Sequence, residues 1–337
     1  MGRLSRAEVG EPHEGTLPIL SLCIPTYNRP EWLGRAIRSI VAQGVTAGIE
    51  VLVSDNSQGT ESRDVVTECL GDWPGAWSYH QNVPTVPMIE NFNRLIARAT
   101  GRYVLMLSDD DYLLPGGLAL ALETLGSTDR AACLFGVHIV DAEERVRKRP
   151  GFGRARYFPP QAAVRQLLSN SSFVRFPGIA VKTSVLREFG SFDPETLNMC
   201  DLDMWFKVFS KYGVRCVPGF VSAYTTHVEA HTMTMFRTEI LDLLIDFFAR
   251  VERSGTVPPE RLDRYRSLFF HQYILAGTYR NLRWHGRQAA RDAFSLFGHE
   301  AMRALKVPMK WLPLRMAFAI FLGQPRRAIG ALPGVGD

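Results

Sequence analysis

The chain has 337 residues, 46% of them hydrophobic, and a formal net charge of +5 at pH 7. This composition is typical of a globular protein with one large domain or two moderate ones. The excess positive charge lies from Thr238 onward, where 15 Lys and Arg stand against 9 Asp and Glu. Because the first part of the chain is close to neutral and lacks a recognised nucleic-acid-binding motif, the sequence argues against a nucleic-acid partner.

The cysteines and the N-terminus both indicate a reducing compartment. The five cysteines are scattered without a C-x-x-C pair, which predicts buried thiols and not a disulfide framework or a zinc site: Cys23, Cys69, Cys133, Cys200 and Cys216. Residues 1–18 have no apolar core of signal-peptide length, so we expect a flexible leader and a cytoplasmic protein.

Two predicted strands end in polar turns. The first, 19–24, leads into Pro25-Thr-Tyr-Asn-Arg-Pro30 and a helix at 31–43, an arrangement suited to an anionic or nucleotide ligand. The second, 49–54, leads into Asp55, whose carboxylate can accept hydrogen bonds from a base or a ribose. An Asx-turn before a helix at 61–70 explains Asp55 equally well.

A predicted strand at 76–81 and an amphipathic helix at 86–100 lead to an acidic stretch. Tyr103 to Leu107 is apolar at every position, which is typical of a strand buried on both faces, and Asp109, Asp110 and Asp111 follow Ser108. Carboxylates this close repel each other unless a cation lies among them, which indicates a Mg²⁺ or Mn²⁺ site. If the backbone stays extended, Asp109 and Asp111 point one way and Asp110 the other. A solvated turn or a cap for the helix that Pro115 begins is the alternative.

The alternation of strands and helices predicts an α/β fold with a doubly wound, mostly parallel sheet flanked by helices. The sequence has neither G-x-G-x-x-G after its first strand nor G-x-x-x-x-G-K-[ST], so a dinucleotide-binding fold and a P-loop are excluded.

The blocks IPTYNR, VSDNS and LSDDD, in this order, resemble the nucleotide-sugar-binding half of a family 2 glycosyltransferase with the GT-A fold. The resemblance implies six residues at the donor nucleotide: Pro25, Thr26, Tyr27, Arg29, Asp55 and Asp109. It also implies that Asp110 and Asp111 bind Mg²⁺ or Mn²⁺ at the donor diphosphate. Ser108 stands where many members have the first Asp of a D-x-D motif.

The pattern of the middle of the chain predicts two helices, at 115–125 and 160–169. It also predicts strands at 131–140, 176–183, 214–217 and 220–224. A solvated hairpin is expected at 141–149, and a loop that closes over the donor is expected at 151–160.

Asp201 and Asp203 lie at the start of a further predicted helix, where carboxylates are commonly caps. The segment also resembles the family's second signature, usually Glu-Asp, which implies that Asp201 is the catalytic base and that Cys200 replaces the Glu.

The segment from Tyr224 resembles the family's Tyr-x-x-His, which implies that His227 approaches the metal or the diphosphate. A lone histidine is otherwise more often structural, and His231 is the weaker candidate.

From about 234 the pattern predicts helices. The last apolar stretch, 311–322, is about 12 residues long, too short for a membrane span of about 20. Flanked by lysines and arginines, it suits a helix lying on an anionic membrane; packing on the catalytic domain or on a second subunit is the alternative.

The resemblance implies an inverting glycosyltransferase that uses a nucleoside-diphosphate sugar, with UDP or dTDP favoured, in surface-polysaccharide or glycoconjugate biosynthesis. The expected acceptor is a saccharide or a lipid-linked saccharide. The expected organisation is a leader at 1–18, a catalytic domain at 19–232 divided at 115/116, and a helical region at 233–337 that contacts the inner face of the membrane or another copy of the chain. A sugar-nucleotide-binding or glycan-binding protein without turnover and a nucleotidyltransferase are the alternatives.

Overall fold

The computed structural model of the chain describes residues 8–9, 17–227 and 236–324. Its contacts divide the chain into two units, one of residues 1–160 with 174–226, and one of residues 161–173 with 227–337. The predicted domain boundaries stay a prediction; these units differ from them in the junction at 226/227 and in the placement of 161–173.

The first unit is built on one sheet of eleven strands in the described residues. They are β1 (Glu8–Val9), β2 (Leu20–Thr26), β3 (Ile49–Asp55), β4 (Ala76–Gln81), β5 (Tyr103–Met106), β6 (Tyr112–Leu113), β7 (Ala132–Asp141), β8 (Val146–Lys148), β9 (Arg156–Phe158), β10 (Ile179–Lys182) and β11 (Val214–Thr226).

The helices are α1 (Pro30–Val41), α2 (Glu61–Leu70), α3 (Met88–Arg98), α4 (Gly117–Gly126), α5 (Pro160–Ser169), α6 (Thr183–Glu188), α7 (Cys200–Tyr212), α8 (Thr238–Arg253), α9 (Pro259–Trp284), α10 (Gly286–Ser295), α11 (Glu300–Arg303) and α12 (Leu312–Phe321). Most of α5, together with α8 to α12, belongs to the second unit.

The sheet has the order β1-β4-β3-β2-β5-β10-β7-β11-β6, with β8 paired to β7 and β9 paired to β11. Strands β4, β3, β2 and β5 are parallel, β10 runs antiparallel between β5 and β7, and β11 is parallel to β7. The C-terminal ends of β2, β3, β5, β7 and β11 therefore lie at one edge of the sheet, which is where α/β sheets bind ligands.

The sheet's core follows from the apolar strands. Every residue of β2, β3 and β5 is buried. Leu33, Ile37 and Ile40 form the buried face of α1 and belong to the same apolar cluster as Leu22 and Val51 of the strands. The predicted α/β fold and the predicted strands and helices of residues 19–107 are confirmed, with ends that shift by a few residues.

Three details of the second half differ from the prediction. The expected loop at 151–160 contains β9, which pairs with β11. The two strands expected at 214–217 and 220–224 are one strand, β11, with irregular register near Pro218 and Gly219. These two residues predict a break, but hydrogen bonds to β7 continue on both sides of it, so the strand persists. The strand expected at 176–183 starts as a 3-10 turn at Phe176–Gly178 and becomes β10 at Ile179.

The second unit is helical in its described residues, as the sequence predicts. Its core contains a cluster of phenylalanine rings whose centroids lie 5.2 to 5.8 Å apart: Phe247, Phe248, Phe269 and Phe270. No helix within 17–227 or 236–324 combines the length and the apolar character that a membrane span requires.

Candidate active site

The turn after β2 holds the first carboxylate of the acidic stretch. Thr26 Oγ1 donates a hydrogen bond of 2.9 Å to Asp109 Oδ2, and the backbone N–H of Tyr27 donates to the same carboxylate. Arg29 Nη1 lies 3.5 Å from Asp109 Oδ1. The Tyr27 ring is 55% exposed, whereas Pro25 is buried within β2. The ends of β2 and β5 therefore form one polar surface.

The acidic stretch is a turn and does not stay extended, because the N–H of Asp111 donates to the carbonyl of Ser108 at 3.0 Å. The three carboxylates consequently have different surroundings. The Asp110 side chain is 14% exposed, and its Oδ2 lies 3.3 Å from Arg29 Nη1. Asp111 is 1% exposed, and its Oδ1 accepts a 2.8 Å hydrogen bond from the N–H of Thr225, at the end of β11.

Burial and mutual repulsion shift the pKa values of these carboxylates. Burial and the charge of Asp110 raise the pKa of Asp109 to about 6, against the effects of Arg29, Thr26 and the Tyr27 N–H. Burial and the charge of Asp110 also raise the pKa of Asp111, against the effect of the Thr225 N–H. A bound cation would relieve this repulsion.

These carboxylates suit Mg²⁺ or Mn²⁺. At phosphates these ions are commonly bound by one or two protein carboxylates, and phosphate and water oxygens complete the coordination. Asp110 is the most open of the three carboxylates, and Asp109 is its neighbour. No group of three His, Cys, Asp or Glu side chains that could hold an ion occurs in the described part of the chain. Asp111 is the most buried of the three carboxylates and accepts a hydrogen bond from Thr225, and its role as a metal ligand stays a prediction.

Arg35 of α1 is a site residue that the sequence analysis missed. Its guanidinium carbon lies 4.3 Å from the Trp32 ring centroid and 4.7 Å from that of Tyr112. Its Nη2 donates to the backbone carbonyl of Asp110 and, at 2.8 Å, to Thr225 Oγ1. Arg35 therefore ties the acidic turn to the end of β11. The spacing of Trp32 and Arg35, one helical turn apart, predicts that the two side chains are neighbours but does not predict the distant partners of Arg35.

Asp55 is fully buried at the end of β3. Its Oδ1 accepts the N–H of Ser57 at 2.8 Å, and its Oδ2 accepts the hydroxyl of Tyr79 at 2.7 Å. The bond to Ser57 is the Asx-turn of the alternative interpretation. Ser57 Oγ in turn accepts the N–H of Asn28 at 2.7 Å, which joins the turns after β2 and β3. A contact between Asp55 and the nucleotide stays a prediction.

Asp201 lies partly buried at the start of α7, where its Oδ1 accepts the N–H of Leu202 at 2.7 Å. Burial raises the pKa of Asp201, against the Leu202 N–H and the positive charge of Arg175. The Arg175 guanidinium lies 5.6 Å from the Tyr224 ring centroid, next to Thr225 in β11. Arg175 is therefore a positive charge that acts on Asp201 and lies beside the strand whose end holds the acidic turn.

The loop that leads to α7 is fixed to α3. The Asn93 side chain accepts the N–H of Phe192 at 2.9 Å and donates to the Phe192 carbonyl at 2.7 Å. One residue later, Asp193 caps a 3-10 turn by accepting the N–H of Glu195 at 3.0 Å. These bonds determine where the start of α7 lies relative to the sheet edge.

The model of the family described as glycosyl transferase family 2 matches residues 21–190, which is half of the chain. The chain belongs to glycosyl transferase family 2.

Several relatives match this glycosyltransferase over parts of their length. An uncharacterized protein of Mycobacterium tuberculosis is 25% identical over 67% of this chain and 73% of its own. The GalNAc(5)-diNAcBac-PP-undecaprenol beta-1,3-glucosyltransferase of Campylobacter jejuni is 31% identical over 39% of this chain and 42% of its own. The abequosyltransferase RfbV of Salmonella typhimurium is 32% identical over 32% and 33%. The two named enzymes are thus matched over less than half of their length.

Solved structures confirm the GT-A fold of this family 2 glycosyltransferase. S. aureus TarS 1-349 in complex with UDP-GlcNAc superposes with a TM-score of 0.63 at 16% identity, over 92% of this chain and 90% of that one. The mannosyltransferase PcManGT from Pyrobaculum calidifontis, in complex with GDP-Man and Mn²⁺, gives a TM-score of 0.58 at 17% identity, over 94% and 87%.

The remaining predicted residues of this glycosyltransferase lie elsewhere. Asp203 is buried on α7 and its Oδ2 lies 2.7 Å from Lys207 Nζ, an ion pair within one helix. His227 is buried and is the first residue of the second unit, so its predicted approach to the metal stays a prediction. His231 lies outside the described residues.

Proposed function

We propose that this glycosyltransferase moves a sugar from a nucleoside-diphosphate sugar to an acceptor hydroxyl, with inversion, in the biosynthesis of a surface polysaccharide or glycoconjugate. The observation that carries the proposal is the acidic turn at the ligand edge of the sheet, where Asp110 lies beside Arg29 and is linked through Arg35 and β11 to the surroundings of Asp201. UDP-GlcNAc in TarS and GDP-Man in PcManGT support a nucleotide-sugar donor.

The leaving diphosphate is the group that needs the most stabilisation. Asp110, with Asp109 as its neighbour, would hold Mg²⁺ or Mn²⁺, which when bound neutralises charge on the diphosphate. Arg29 adds a second positive group within 3.5 Å of both carboxylates and is itself 30% exposed, so it can turn towards a bound phosphate.

Asp201 would act as the base. It takes the proton of the acceptor hydroxyl while the acceptor oxygen bonds to the anomeric carbon and the bond from that carbon to the diphosphate oxygen breaks. One displacement inverts the anomeric centre. Burial, acting against the Leu202 N–H and the charge of Arg175, raises the pKa of Asp201, which makes it a stronger base than an exposed Asp.

The donor and the acceptor are proposed by class. UDP-sugars or dTDP-sugars are the favoured donors, and a saccharide or a lipid-linked saccharide is the favoured acceptor. The Campylobacter relative, whose name specifies an undecaprenol-linked glycan, supports the lipid-linked class.

The test compares Asp201→Asn with Asp203→Asn, a matched change two residues away on the same helix. Donors are first chosen by thermal shift with UDP, dTDP, GDP and their sugars, with and without Mn²⁺, because a ligand that binds only the native state raises its stability. Asp201→Asn should lower transfer by about 10² to 10⁴ and leave the nucleotide-induced shift unchanged. Asp203→Asn should keep transfer within a few-fold of wild type.

Transfer retained by Asp201→Asn would refute the assignment of the base. Transfer unaffected by EDTA would refute the metal role of Asp110. A wild-type protein that binds a nucleotide sugar but neither hydrolyses nor transfers it with saccharide or lipid-linked acceptors would favour the binding-protein alternative.

A further inference from the structure

Helix α12 has its charge inside and its apolar residues outside. Arg315, the charged residue of the helix, is 2% exposed and lies on the same face as the buried Phe318, Ala319 and Leu322. The opposite face is apolar throughout this fully described helix and carries the following exposed residues: Pro313, Leu314, Met316, Ala317, Ile320 and Phe321. This is the reverse of an ordinary surface helix, which exposes its polar residues.

The buried face is held by specific contacts, so the orientation of α12 is defined. Arg315 Nη1 donates to His271 Nε2 at 2.8 Å, and the guanidinium lies 4.1 Å from the Phe297 ring centroid. His271 Nδ1 donates to the carbonyl of Ser267 at 2.7 Å, which leaves Nε2 as the acceptor. Burial lowers the pKa of His271 to about 4, so the ring is neutral at pH 7.

The C-terminal end of α12 is fixed as well. Arg287 donates to the carbonyl of Phe321, and Arg291 Nε donates to the carbonyl of Leu322 at 2.9 Å. These bonds satisfy carbonyls that a helix end otherwise leaves free. Rotation of α12 that would bury its apolar face would break both of them and the contact between Arg315 and His271.

The exposed apolar side chains are large. Ile320 is 72% exposed, Phe321 51%, Leu314 43% and Met316 41%, and Met309, in the segment just before the helix, is 80% exposed. We call this set, with Pro313 and Ala317, the α12 face. A contiguous apolar surface of this kind marks a binding surface for a protein or a membrane.

The charges around the α12 face decide between these partners. Arg287 is exposed, and its guanidinium carbon lies 5.1 Å from the Phe321 ring centroid. Lys310 is also exposed, and its Nζ lies 4.9 Å from the Trp311 ring centroid. Residues 283–324 contain seven Arg and Lys against two Asp and Glu. A symmetric contact between two copies would bring these positive charges together, whereas an anionic lipid surface attracts them.

We propose that the α12 face is a membrane-binding surface that inserts its apolar side chains among the head groups of an anionic bilayer. The basic residues around it contact lipid phosphates. This proposal is independent of the donor, the acceptor and the catalytic base proposed above.

The experiment measures partition of the full chain onto vesicles of phosphatidylcholine with 30% phosphatidylglycerol and onto vesicles of phosphatidylcholine alone, by co-sedimentation. The test variant is Met316→Glu with Ile320→Glu. The matched control is Leu17→Glu with Tyr279→Glu, which makes the same charge change at positions 81% and 54% exposed. Thermal unfolding of both variants should resemble that of wild type, because all four side chains are exposed.

We expect wild type to prefer the anionic vesicles, the test variant to lose at least about tenfold in partition coefficient, and the control to lose less than about threefold. Equal partition of wild type and test variant would overturn the proposal, as would equal binding of wild type to both kinds of vesicle. A wild-type dimer that the test variant converts to a monomer, without a difference in vesicle binding, would assign the α12 face to a second copy of the chain instead.

Discussion

Replacing Asp109 by Asn removes one of three neighbouring carboxylates and keeps the size of the side chain. In the metal-free protein we expect this change at the candidate active site to increase stability. Burial and the charge of Asp110 raise the pKa of Asp109 from 3.8 to about 6. Ionisation of Asp109 is therefore less favourable in the native state than in the unfolded chain. At pH 8 the ionised carboxylate therefore costs about 3 kcal/mol relative to the unfolded chain.

Part of this gain is lost in the variant, because an amide accepts the hydrogen bonds of Thr26 and the Tyr27 N–H less strongly and turns an NH₂ group towards Arg29. We expect a net increase of about 1 to 2 kcal/mol in the free energy of unfolding at pH 8. The native state binds the extra proton between about pH 4 and pH 6, so the advantage of the variant should shrink as the pH falls through that window and vanish below it.

The assay is urea unfolding of wild type and Asp109→Asn at pH 8 and pH 4.5, in EDTA and without nucleotide. Asp141→Asn is a control of opposite sign. Against the effect of burial, hydrogen bonds from the Arg145 N–H, from Arg147 and from the Arg145 side chain hold the pKa of Asp141 at about 2. Asp141→Asn should therefore be less stable than wild type at pH 8. An Asp109→Asn protein that is less stable than wild type at pH 8, or whose difference from wild type does not change with pH, would refute this reasoning.

Three further predictions follow from single contacts. Arg35→Met should lower the free energy of unfolding by about 2 to 4 kcal/mol, since the acidic turn and Thr225 both lose a charged hydrogen-bond donor. A loss below about 1 kcal/mol in urea unfolding would contradict the role of Arg35 in holding the acidic turn to β11. Tyr79→Phe should cost about 1 to 3 kcal/mol in the same assay because Asp55 stays buried with one partner fewer; an unchanged midpoint would show that water replaces the hydroxyl. Because burial raises the pKa of Asp201, the rate of transfer should fall on the acid side with a midpoint above the ordinary 3.8, whereas a midpoint at or below 3.8 would contradict a buried base.

The strands and the acidic turn could be predicted from the sequence because their signals are local. Tyr103 to Leu107 is apolar at every position, and the carboxylates that follow it directly mark the end of the strand. The same reasoning could not give the directions of the three side chains. Alternation along an extended strand puts Asp109 and Asp111 on one side, but the bond between the Asp111 N–H and Ser108 turns the backbone and buries Asp111 separately.

Arg35 could not be found in this way because its partners are distant in sequence. It is 75 residues from Asp110 and 190 residues from Thr225, and only the pairing of β11 with β7 and β6 brings Thr225 to the acidic turn. Arg175 is a similar case, since its relation to Asp201 depends on the path of the chain through β10 and α7. Local patterns predict which strand ends carry chemistry, whereas the groups that hold those ends together depend on the tertiary structure.

The contact between Asn93 and Phe192 bears on how new donor and acceptor specificities can be combined. The Asn93 side chain forms hydrogen bonds only to the main chain of residue 192, one to its N–H and one to its carbonyl. Any residue that keeps this backbone conformation can therefore replace Phe192 without loss of the two bonds. A chimera that joins this chain's first half to the 174–226 segment of another member therefore needs an asparagine at position 93 and the backbone shape of the loop. It also needs an apolar residue at 192, because the Phe192 ring is buried against Phe92, Phe176 and Trp205.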